Sequence, residues 1–244
     1  MPRFFVNTPP DADGNITVSG SDARHIALSL RCAVGERITV SCDGMVYECE
    51  LSSVHPEQVS ARVLTSRLDD AESPCRTRLY VANPKGGKLD GVIQKATELG
   101  VSEIIPFLSE RCVSRPDPDS RGKKLVREER IALEAAKQCG RGIVPKVRMM
   151  TDFVSAVRDA AGADIALFAY EKENSVTLRD AVAGRLMPGV TVSVMTGPEG
   201  GFSPAEAKAA EDAGMILCGL GRRILRCETA PLYVLSAIAY EAEL

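Results

Sequence analysis

Histidine is scarce in this sequence, and its cysteines lack metal-ligand spacing. Of 244 residues two are histidine and eight are cysteine, and no two cysteines form a C-x-x-C pair. A zinc site requires clustered Cys and His ligands, so we expect no bound metal. Without a G-x-S-x-G elbow, and with both histidines in the β-rich first part of the chain, a serine or cysteine nucleophile has no natural base. Cysteines inside apolar runs, such as Cys49 and Cys218, indicate core thiols in a reducing compartment.

Long apolar runs and nucleotide-binding motifs are also missing. No stretch approaches the roughly 18 apolar residues of a transmembrane helix, and the amino-terminal apolar run is too short for a signal peptide. These absences predict a soluble cytoplasmic protein without a membrane partner. Neither G-x-G-x-x-G nor G-x-x-x-x-G-K-[ST] occurs. The sequence therefore disfavours a dinucleotide-binding fold and a P-loop nucleotide hydrolase.

Positive charge is concentrated in one segment of a chain whose formal charge is −3. Residues 111–148 hold eleven Lys or Arg against five Asp or Glu, whereas residues 1–67 hold six basic and eight acidic side chains. A basic strip is either a solvated surface or a track for phosphate groups. Any RNA contact in the first 67 residues must therefore use a few placed arginines rather than a general positive field.

The pattern changes from β-rich to alternating strands and helices near residue 70. Residues 1–70 hold short alternating segments and an Asp43-Gly44 turn, which predict a small β-barrel-like domain. One helix over 22–30, capped by Ser21 or Asp22, belongs to it. Beyond an acidic linker, residues 75–244 read as an α/β domain with a parallel sheet. Its expected helices lie at 88–99, 123–138, 177–183 and 204–213, with a last helix from Glu228. The first has an apolar stripe and Gly100 as its C-cap, and Ser203 caps the one at 204–213.

The last helix is more apolar than one buried stripe requires. Residues 230–240 are nearly all apolar, so the helix is either buried within its domain or faces another subunit. Of these two arrangements we expect the second, a homodimer.

Two loops near the carboxyl terminus carry the strongest functional signal. The apolar run 190–195 leads into Gly197-Pro-Glu-Gly-Gly201, and the strand from Met215 leads into Leu220-Gly-Arg-Arg-Ile-Leu-Arg226. Glycine lets bare backbone approach a ligand, and loops after neighbouring parallel strands form a cleft at one edge of the sheet. An ordinary tight turn before a helix is the alternative interpretation of the first loop.

The sequences 197–203 and 220–230 resemble the paired signature of the ribosomal small-subunit methyltransferase E family, SPOUT enzymes that methylate N3 of a uridine in 16S rRNA. Similar blocks occur in the same order at 24–31, 94–101, 105–111 and 134–141, so the resemblance covers nearly the whole chain. The departures from the family pattern lie outside the two loops, at Ser29, Gly86-Gly87, Cys112 and Cys139.

This resemblance implies a SPOUT α/β-knot, with a carboxyl-terminal trefoil knot, beside a PUA-like RNA-binding domain. It also implies a homodimer that acts on 16S rRNA or the small ribosomal subunit. The cofactor would be S-adenosyl-L-methionine, enclosed on a third side by the loop after Ala169. The residues implied to bind it are Thr196, Gly197, Pro198, Glu199, Gly200, Gly201, Leu220, Gly221, Ile224, Leu225, Thr229 and Ala230.

Methylating uracil N3 requires alignment of the methyl group and loss of the imide proton. We expect Arg226 to stabilise the charge that develops on the uracil carbonyls. Glu228 is either the proton acceptor, if its pKa is raised, or a cap of the last helix. The expected RNA contacts are Arg3, Arg24, His25, Arg31, Arg111, Gln138 and Arg141. Arg111, Gln138 and Arg141 could instead have only a structural role, and His25 could instead pack in the core of the first domain.

Two other functions stay open at this point. The first is a knotted SPOUT enzyme that methylates a ribose 2′-hydroxyl. The β-rich amino-terminal domain and the sequence of residues 220–230 disfavour it. The other is a non-catalytic RNA-binding or ribosome-assembly protein, which predicts a degraded cofactor loop. Residues 197–201 are intact, so this reading ranks last.

Overall fold

The computed structural model describes residues 3–173 and 175–244. The chain forms two compact units, of which the first comprises Met1–Glu72 with Ala136–Ile143 and the second Ser73–Ala135 with Val144–Leu244. The change of unit after Glu72 lies inside the predicted linker. Residues 136–143 belong to the first unit, although the sequence pattern assigns them to the second domain.

The first unit contains a five-stranded sheet. Its strands are β1 (Arg3–Phe5), β2 (Asn15–Ser19), β3 (Arg37–Cys42), β4 (Met45–Val54) and β5 (Gln58–Leu68). They lie in the order β1-β3-β4-β5-β2, and every pairing except the parallel β1–β3 pair is antiparallel. Asp43 and Gly44 have φ angles of 47° and 78° between β3 and β4, so the predicted hairpin turn is confirmed. Alternate residues of these strands form one apolar core.

The helix of the first unit differs from the predicted span. Helix α1 (Gly20–Arg24) begins two residues early, and its N-cap is Ser19, whose side chain makes no capping hydrogen bond. The predicted caps at Ser21 and Asp22 are therefore wrong. The helix widens into a π-helical turn over His25–Ser29, closed by a 2.9 Å bond from the Leu30 amide to the His25 carbonyl. The next residue, Arg31, is left-handed with φ 55°.

The second unit contains a seven-stranded sheet, and its predicted parallel pairing is confirmed. The strands are β6 (Arg76–Ala82), β7 (Glu103–Leu108), β8 (Lys146–Val147), β9 (Thr151–Asp152), β10 (Ile165–Ala169), β11 (Thr191–Thr196) and β12 (Ile216–Cys218). Their order is β12-β10-β11-β6-β7-β8, with β9 also paired to β7. The helices are α2 (Lys88–Glu98), α3 (Arg121–Cys139), α4 (Phe153–Ala160), α5 (Leu178–Val182), α6 (Pro204–Asp212) and α7 (Thr229–Glu243).

Alternating side chains of this sheet enter two separate apolar cores. In β6, Leu79 and Val81 pack with α2, α5 and α7, whereas Tyr80 and Ala82 pack with α4 and α6. Both faces of the sheet are therefore covered by helices, as a parallel sheet requires. The predicted apolar stripe of α2 is buried, and Gly100 follows the helix with φ 80°.

Candidate active site

The carboxyl ends of three adjacent strands open onto one cleft. Strands β10, β11 and β12 are parallel neighbours that end at Ala169, Thr196 and Cys218. The loops that follow them enclose a volume of about 630 Å³. This size is typical of a site for a small organic ligand. Helix α7 closes the cleft through Ala230.

Nearly all of the residues predicted to bind a cofactor line this cleft. They are Thr196, Gly197, Pro198, Glu199, Gly200, Gly201, Leu220, Gly221, Ile224, Leu225 and Ala230. Thr229 is not among the lining residues that the structure describes. We name residues 197–201 the glycine loop and residues 220–228 the arginine loop, because Arg222, Arg223 and Arg226 also line the cleft.

The glycine loop has little room for side chains. The Gly201 amide donates to the Pro198 carbonyl at 2.9 Å, and Gly201 has φ 62°. A Cβ at Gly201 would lie 2.7 Å from a carboxylate oxygen of Glu171, and one at Gly197 would lie 3.2 Å from the Phe202 ring. The left-handed backbone favours glycine at Gly201, and the buried Phe202 ring leaves little room for a side chain at Gly197.

Phe202 anchors the far end of the glycine loop. Its fully buried ring lies 4.2 Å from that of Phe168 and 6.3 Å from that of Phe107, measured between centroids. Directly after it, Ser203 caps α6 as predicted, through a capping box with Glu206. The other carboxylate oxygen of Glu206 accepts the Glu110 amide at 2.8 Å. Buried groups of the second unit thus fix where the loop ends.

Arg111 holds the glycine loop rather than pointing away from it. Its guanidinium Nη1 donates to the Gly200 carbonyl at 2.9 Å and to the Phe202 carbonyl at 3.2 Å. A Cβ at Gly200 would lie 3.2 Å from the Arg111 Cβ. In this structure Arg111 therefore has the structural role that the sequence left open as the alternative to an RNA contact.

A charged cluster joins the two loops. The Lys88 ammonium lies 3.0 Å from Oε2 of Glu228 and 3.9 Å from Oε1 of Glu199. The Lys85 amide donates to the same Glu199 oxygen at 3.1 Å. The Cys227 thiol donates to Glu228 at 3.1 Å, and burial together with that bond raises the thiol pKa to about 12.

Glu228 could act as the proton acceptor only if its pKa were raised, and this cluster has the opposite effect. Hydrogen bonds from the Cys227 thiol, its own backbone amide and Lys88 lower the pKa of Glu228 to about 2 rather than raising it. Glu228 is the N-cap residue of α7, yet its side chain makes no capping hydrogen bond. The capping alternative is therefore also wrong for the side chain, which pairs with Lys88 instead.

Arg226 occupies the exposed part of the arginine loop. Its guanidinium is open to solvent and lines the cleft. Its carbonyl accepts the amides of Thr229 and Ala230 at 2.8 and 2.9 Å, which starts α7. The backbone of Arg226 is thus fixed while its side chain is available to a ligand.

Two of the predicted RNA contacts in the first unit are held in ion pairs. Arg3 binds Asp69 at 2.7 Å. Arg141 is buried and forms a two-pronged pair with Glu72, with distances of 3.2 Å from Nε and 2.6 Å from Nη2. Both guanidiniums are engaged within the unit in this structure, and their predicted contacts with RNA stay predictions.

The other predicted contacts of the first unit lie on its surface. Arg24, His25, Arg31 and Gln138 are exposed. The alternative in which His25 packs in the core is therefore wrong, although its ring lies 6.3 Å from that of Phe4. Three of these residues come from the π-helical turn and its flanks, where departures from regular helix often accompany function.

Sequence reasoning missed several residues of the site. Phe202 and Glu206 follow closely after the glycine loop. The S-x-x-E spacing of Ser203 and Glu206 is a local sequence signal for the capping box and therefore for the position of Glu206. Glu171 lies in the loop predicted to close the third side of the site, but no residue was singled out there. Lys88 has no local signal, because its two partners are far away in the chain.

Within residues 3–173 and 175–244, no group of three or more His, Cys, Asp or Glu side chains is arranged to hold a metal. All eight cysteines are free thiols. None of the helices in the described residues is long and apolar enough to span a membrane.

Comparison with known proteins shows the family. The family model for the RNA methyltransferase domain matches residues 71–239. The ribosomal RNA small subunit methyltransferase E of Bacillus subtilis is 36% identical over 251 aligned residues, covering 100% of this chain and 98% of that protein. The protein of that name from Mycobacterium bovis is 31% identical and covers 96% and 90%.

A solved structure gives the same answer. The Neisseria gonorrhoeae ribosomal RNA small subunit methyltransferase E, bound to S-adenosyl methionine, superposes with a TM-score of 0.86 at 31% identity. The match covers 98% of this chain and 97% of that one. From its sequence over the full length and from its fold, this chain belongs to the ribosomal RNA small subunit methyltransferase E family.

Proposed function

We propose that this protein methylates N3 of a uridine in 16S rRNA of the small ribosomal subunit, with S-adenosylmethionine as the methyl donor. The observation that carries the proposal is the single cleft in which the glycine loop and the arginine loop meet. Relatives over the full length are named small-subunit rRNA methyltransferases, and one was solved with S-adenosyl methionine. The bound cofactor supplies a methyl group already activated by a sulfonium.

The residues of the cleft fit such a cofactor. Thr196 is buried, and its hydroxyl has no hydrogen-bond partner in the part of the chain that the structure describes. A buried hydroxyl without a partner is costly, so a ligand with hydrogen-bonding groups at this point satisfies it. The glycine loop offers bare backbone, and Leu220 and Leu225 are half-buried apolar walls.

Arg226 is the group we assign to the developing charge. As N3 of uracil loses its proton, negative charge spreads to the two carbonyl oxygens. A guanidinium at the cleft stabilises that charge when it turns toward the base. Glu228 does not take the proton, because its depressed pKa makes it a weak base.

The finer features of the fold belong to this proposal. The trefoil knot is carried by the family resemblance. Gly219 lies tightly against Glu173 and residues 175–178 in this region, where its amide donates to the Val176 carbonyl and its carbonyl accepts the Leu178 amide. A PUA-like role for the first unit is supported by its β-rich structure and exposed basic turn. A homodimer is supported by α7, which leaves Tyr233 and Tyr240 exposed at 44% and 69%. The same proposal places the protein in the cytoplasm with its RNA.

We predict that replacing both Arg24 and Arg31 by alanine flattens the salt dependence of RNA binding. Each phosphate contact contributes about 0.7–0.9 to the slope of log affinity against log salt, so the loss of two contacts lowers the slope by about 1.5. Filter binding to 16S rRNA across a salt series measures it. The control is Arg62→Ala, which removes an exposed arginine paired with Glu50 in the same unit.

Arg31→Gly separates RNA contact from stability. Glycine relieves the left-handed backbone at this position, so this variant should melt no lower than the wild type while still losing RNA affinity. An unaltered slope in the double variant would place the footprint elsewhere.

We predict that Arg111→Ala weakens the binding of S-adenosylmethionine about tenfold. The variant loses two charge-assisted hydrogen bonds to the glycine loop, and about 1.4 kcal/mol corresponds to that factor. Calorimetric titration gives the affinity, and the salt slope of RNA binding should stay unchanged. Arg115→Ala is the matched control, because Arg115 binds the carbonyls of Ser109 and Glu110 instead. A changed slope with unchanged cofactor affinity would restore Arg111 to the RNA footprint.

The proposed function is tested by methyl transfer from labelled S-adenosylmethionine to small subunits and to protein-free 16S rRNA, both from cells that lack this protein. Nucleoside mass spectrometry identifies the product. We expect 3-methyluridine. A 2′-O-methyl nucleoside would overturn the choice of target atom, and binding of cofactor without transfer to either RNA would overturn the choice of substrate.

A further inference from the structure

Lys88 bridges the two loops of the cleft from outside both of them. It is the first residue of α2, and its ammonium lies between the carboxylates of Glu228 and Glu199. The Lys88 side chain is 33% exposed and that of Glu228 is 37% exposed. Lys88 is not among the described residues that line the cleft, but its partner Glu199 is, so the ammonium is held beside the cleft on a side chain that is partly open to solvent.

The charges of this cluster are fixed at neutral pH. The hydrogen bond to Glu228 raises the pKa of Lys88, so the amine stays protonated. Partial burial favours the neutral form of Glu199, but backbone amides of Glu199 and Lys85 lower its pKa below the ordinary value. With Glu228 also ionised, one ammonium lies between two carboxylates. Because neither carboxylate is a strong base here, positive charge is the means by which this cluster can promote loss of an imide proton.

An ammonium has three N–H donors in a flexible arrangement. Its hydrogen bond to Glu228 leaves two donors, because Glu199 at 3.9 Å lies beyond hydrogen-bond distance. Uracil presents two carbonyl oxygens, one on each side of N3, and both carry negative charge once N3 is deprotonated. We take Arg226 to serve one oxygen, which leaves the other open to a second cation.

We propose that Lys88 donates a hydrogen bond to a carbonyl oxygen of the target uracil and that Glu228 positions it there. Lys88 and Arg226 then stabilise the imidate from its two sides. This inference rests on the proposed function, since it concerns the base that is methylated. Lys88 is thereby a catalytic residue, and Glu228 is a positioning residue.

The transfer step balances with water as the proton acceptor. The N3–H bond breaks and the proton goes to water, which leaves the electron pair on N3. That pair forms the new bond to the methyl carbon. The S–C bond breaks, and its electron pair returns to sulfur, which becomes a neutral thioether.

The same arrangement discriminates between pyrimidines. Cytosine carries an amino donor where uracil carries its O4 acceptor. Where the ammonium contacts O4 rather than O2, it faces a donor in cytosine and an acceptor in uracil. Lys88 therefore favours uracil by repelling its closest competitor as well as by binding it.

The test compares four variants of the full chain, Glu228→Gln among them, in single-turnover methyl transfer to 16S rRNA across a range of pH. Lys88→Met removes the ammonium at similar length, and Lys88→Arg restores a cation. Lys95→Met is the matched control, because Lys95 lies on the same helix and pairs with Glu98 at 2.9 Å. The affinity for S-adenosylmethionine is measured for each variant by calorimetry.

We expect Lys88→Met to slow transfer about a hundredfold at neutral pH, the scale of one lost charge-stabilising donor, with cofactor affinity unchanged within about threefold. The deficit should shrink as pH rises, because hydroxide then ionises the imide without help from the protein. Lys88→Arg should recover most of the rate, and Lys95→Met should match the wild type. Glu228→Gln should lower the rate by about tenfold, with the same convergence at high pH.

Two outcomes would overturn the role of Lys88. One is a wild-type rate in Lys88→Met while the wild type forms 3-methyluridine. The other is a deficit that does not change with pH and is matched by a tenfold loss of cofactor affinity, which would make Lys88 only a clamp between the loops. If the wild type itself forms no 3-methyluridine, the proposed function fails first, and that result is read before any variant is compared.

Discussion

Replacing Arg226 by alanine is expected to reduce turnover by about a hundredfold or more while the affinity for S-adenosylmethionine stays within a few-fold. The side chain lines the cleft and is exposed, whereas its backbone carbonyl starts α7 through the amides of Thr229 and Ala230. Alanine retains that carbonyl, so helix and loop should persist. Steady-state kinetics with 16S rRNA and calorimetry with the cofactor measure the two effects separately.

Two comparisons sharpen this expectation. Arg226→Lys keeps the charge but loses the planar fork, so its rate should fall between those of the wild type and the alanine variant. Arg179→Ala removes an exposed arginine from α5 and should leave turnover unchanged. Equal rates for Arg226→Ala and the wild type would remove Arg226 from the mechanism.

The second large effect is expected at Gly219. A Cβ there would collide with the backbone carbonyl oxygen of Glu173, and backbone cannot swing aside as a long side chain can. Overpacking of this kind costs about 1–3 kcal/mol, so Gly219→Ala should lower the melting temperature by about 5 °C. Gly219 itself leads directly into the arginine loop, so cofactor affinity should fall as well.

The matched control for Gly219 is Gly91. It lies inside α2, and a Cβ there meets nothing within 4 Å. Alanine is the better helix former, so Gly91→Ala should raise the stability slightly, by about 0.5–1 kcal/mol. An unchanged melting temperature for Gly219→Ala would show that the backbone at Gly219 and Glu173 is free to shift. The close contact between them would then have no role in positioning the arginine loop.

Local signals account for what the sequence predicts well. The Asp43-Gly44 turn, the Ser203 cap and Gly100 after α2 each depend on residues within a few positions, and all three are found. Alternating strands and helices likewise predict the parallel sheet, because each helix must cover an apolar strand. The two loops at its carboxyl edge follow from that topology.

Contacts between distant residues account for what the sequence does not reveal. Arg141 and Glu72 tie 136–143 to the first unit, and no pattern in either segment predicts that pair. The ion pair between Lys88 and Glu228 likewise joins residues far apart in the chain and has no local sequence signal. Helix α4 is a different case, since the Asp152 side chain caps it by accepting the Ser155 amide at 2.9 Å, and this signal was readable.

The buried anchor at Phe202 divides the cleft into parts with different freedom to open. Amides next to Phe202, Ser203 and Glu206 lie among buried groups, so their hydrogens should exchange with solvent only when the second unit unfolds as a whole. Residues 221–224 are exposed and should exchange through small local openings. A ligand that fills the cleft should therefore slow exchange most strongly in the arginine loop. Ligand binding then loses conformational entropy mainly in the arginine loop, because the end of the glycine loop at Phe202 is already ordered.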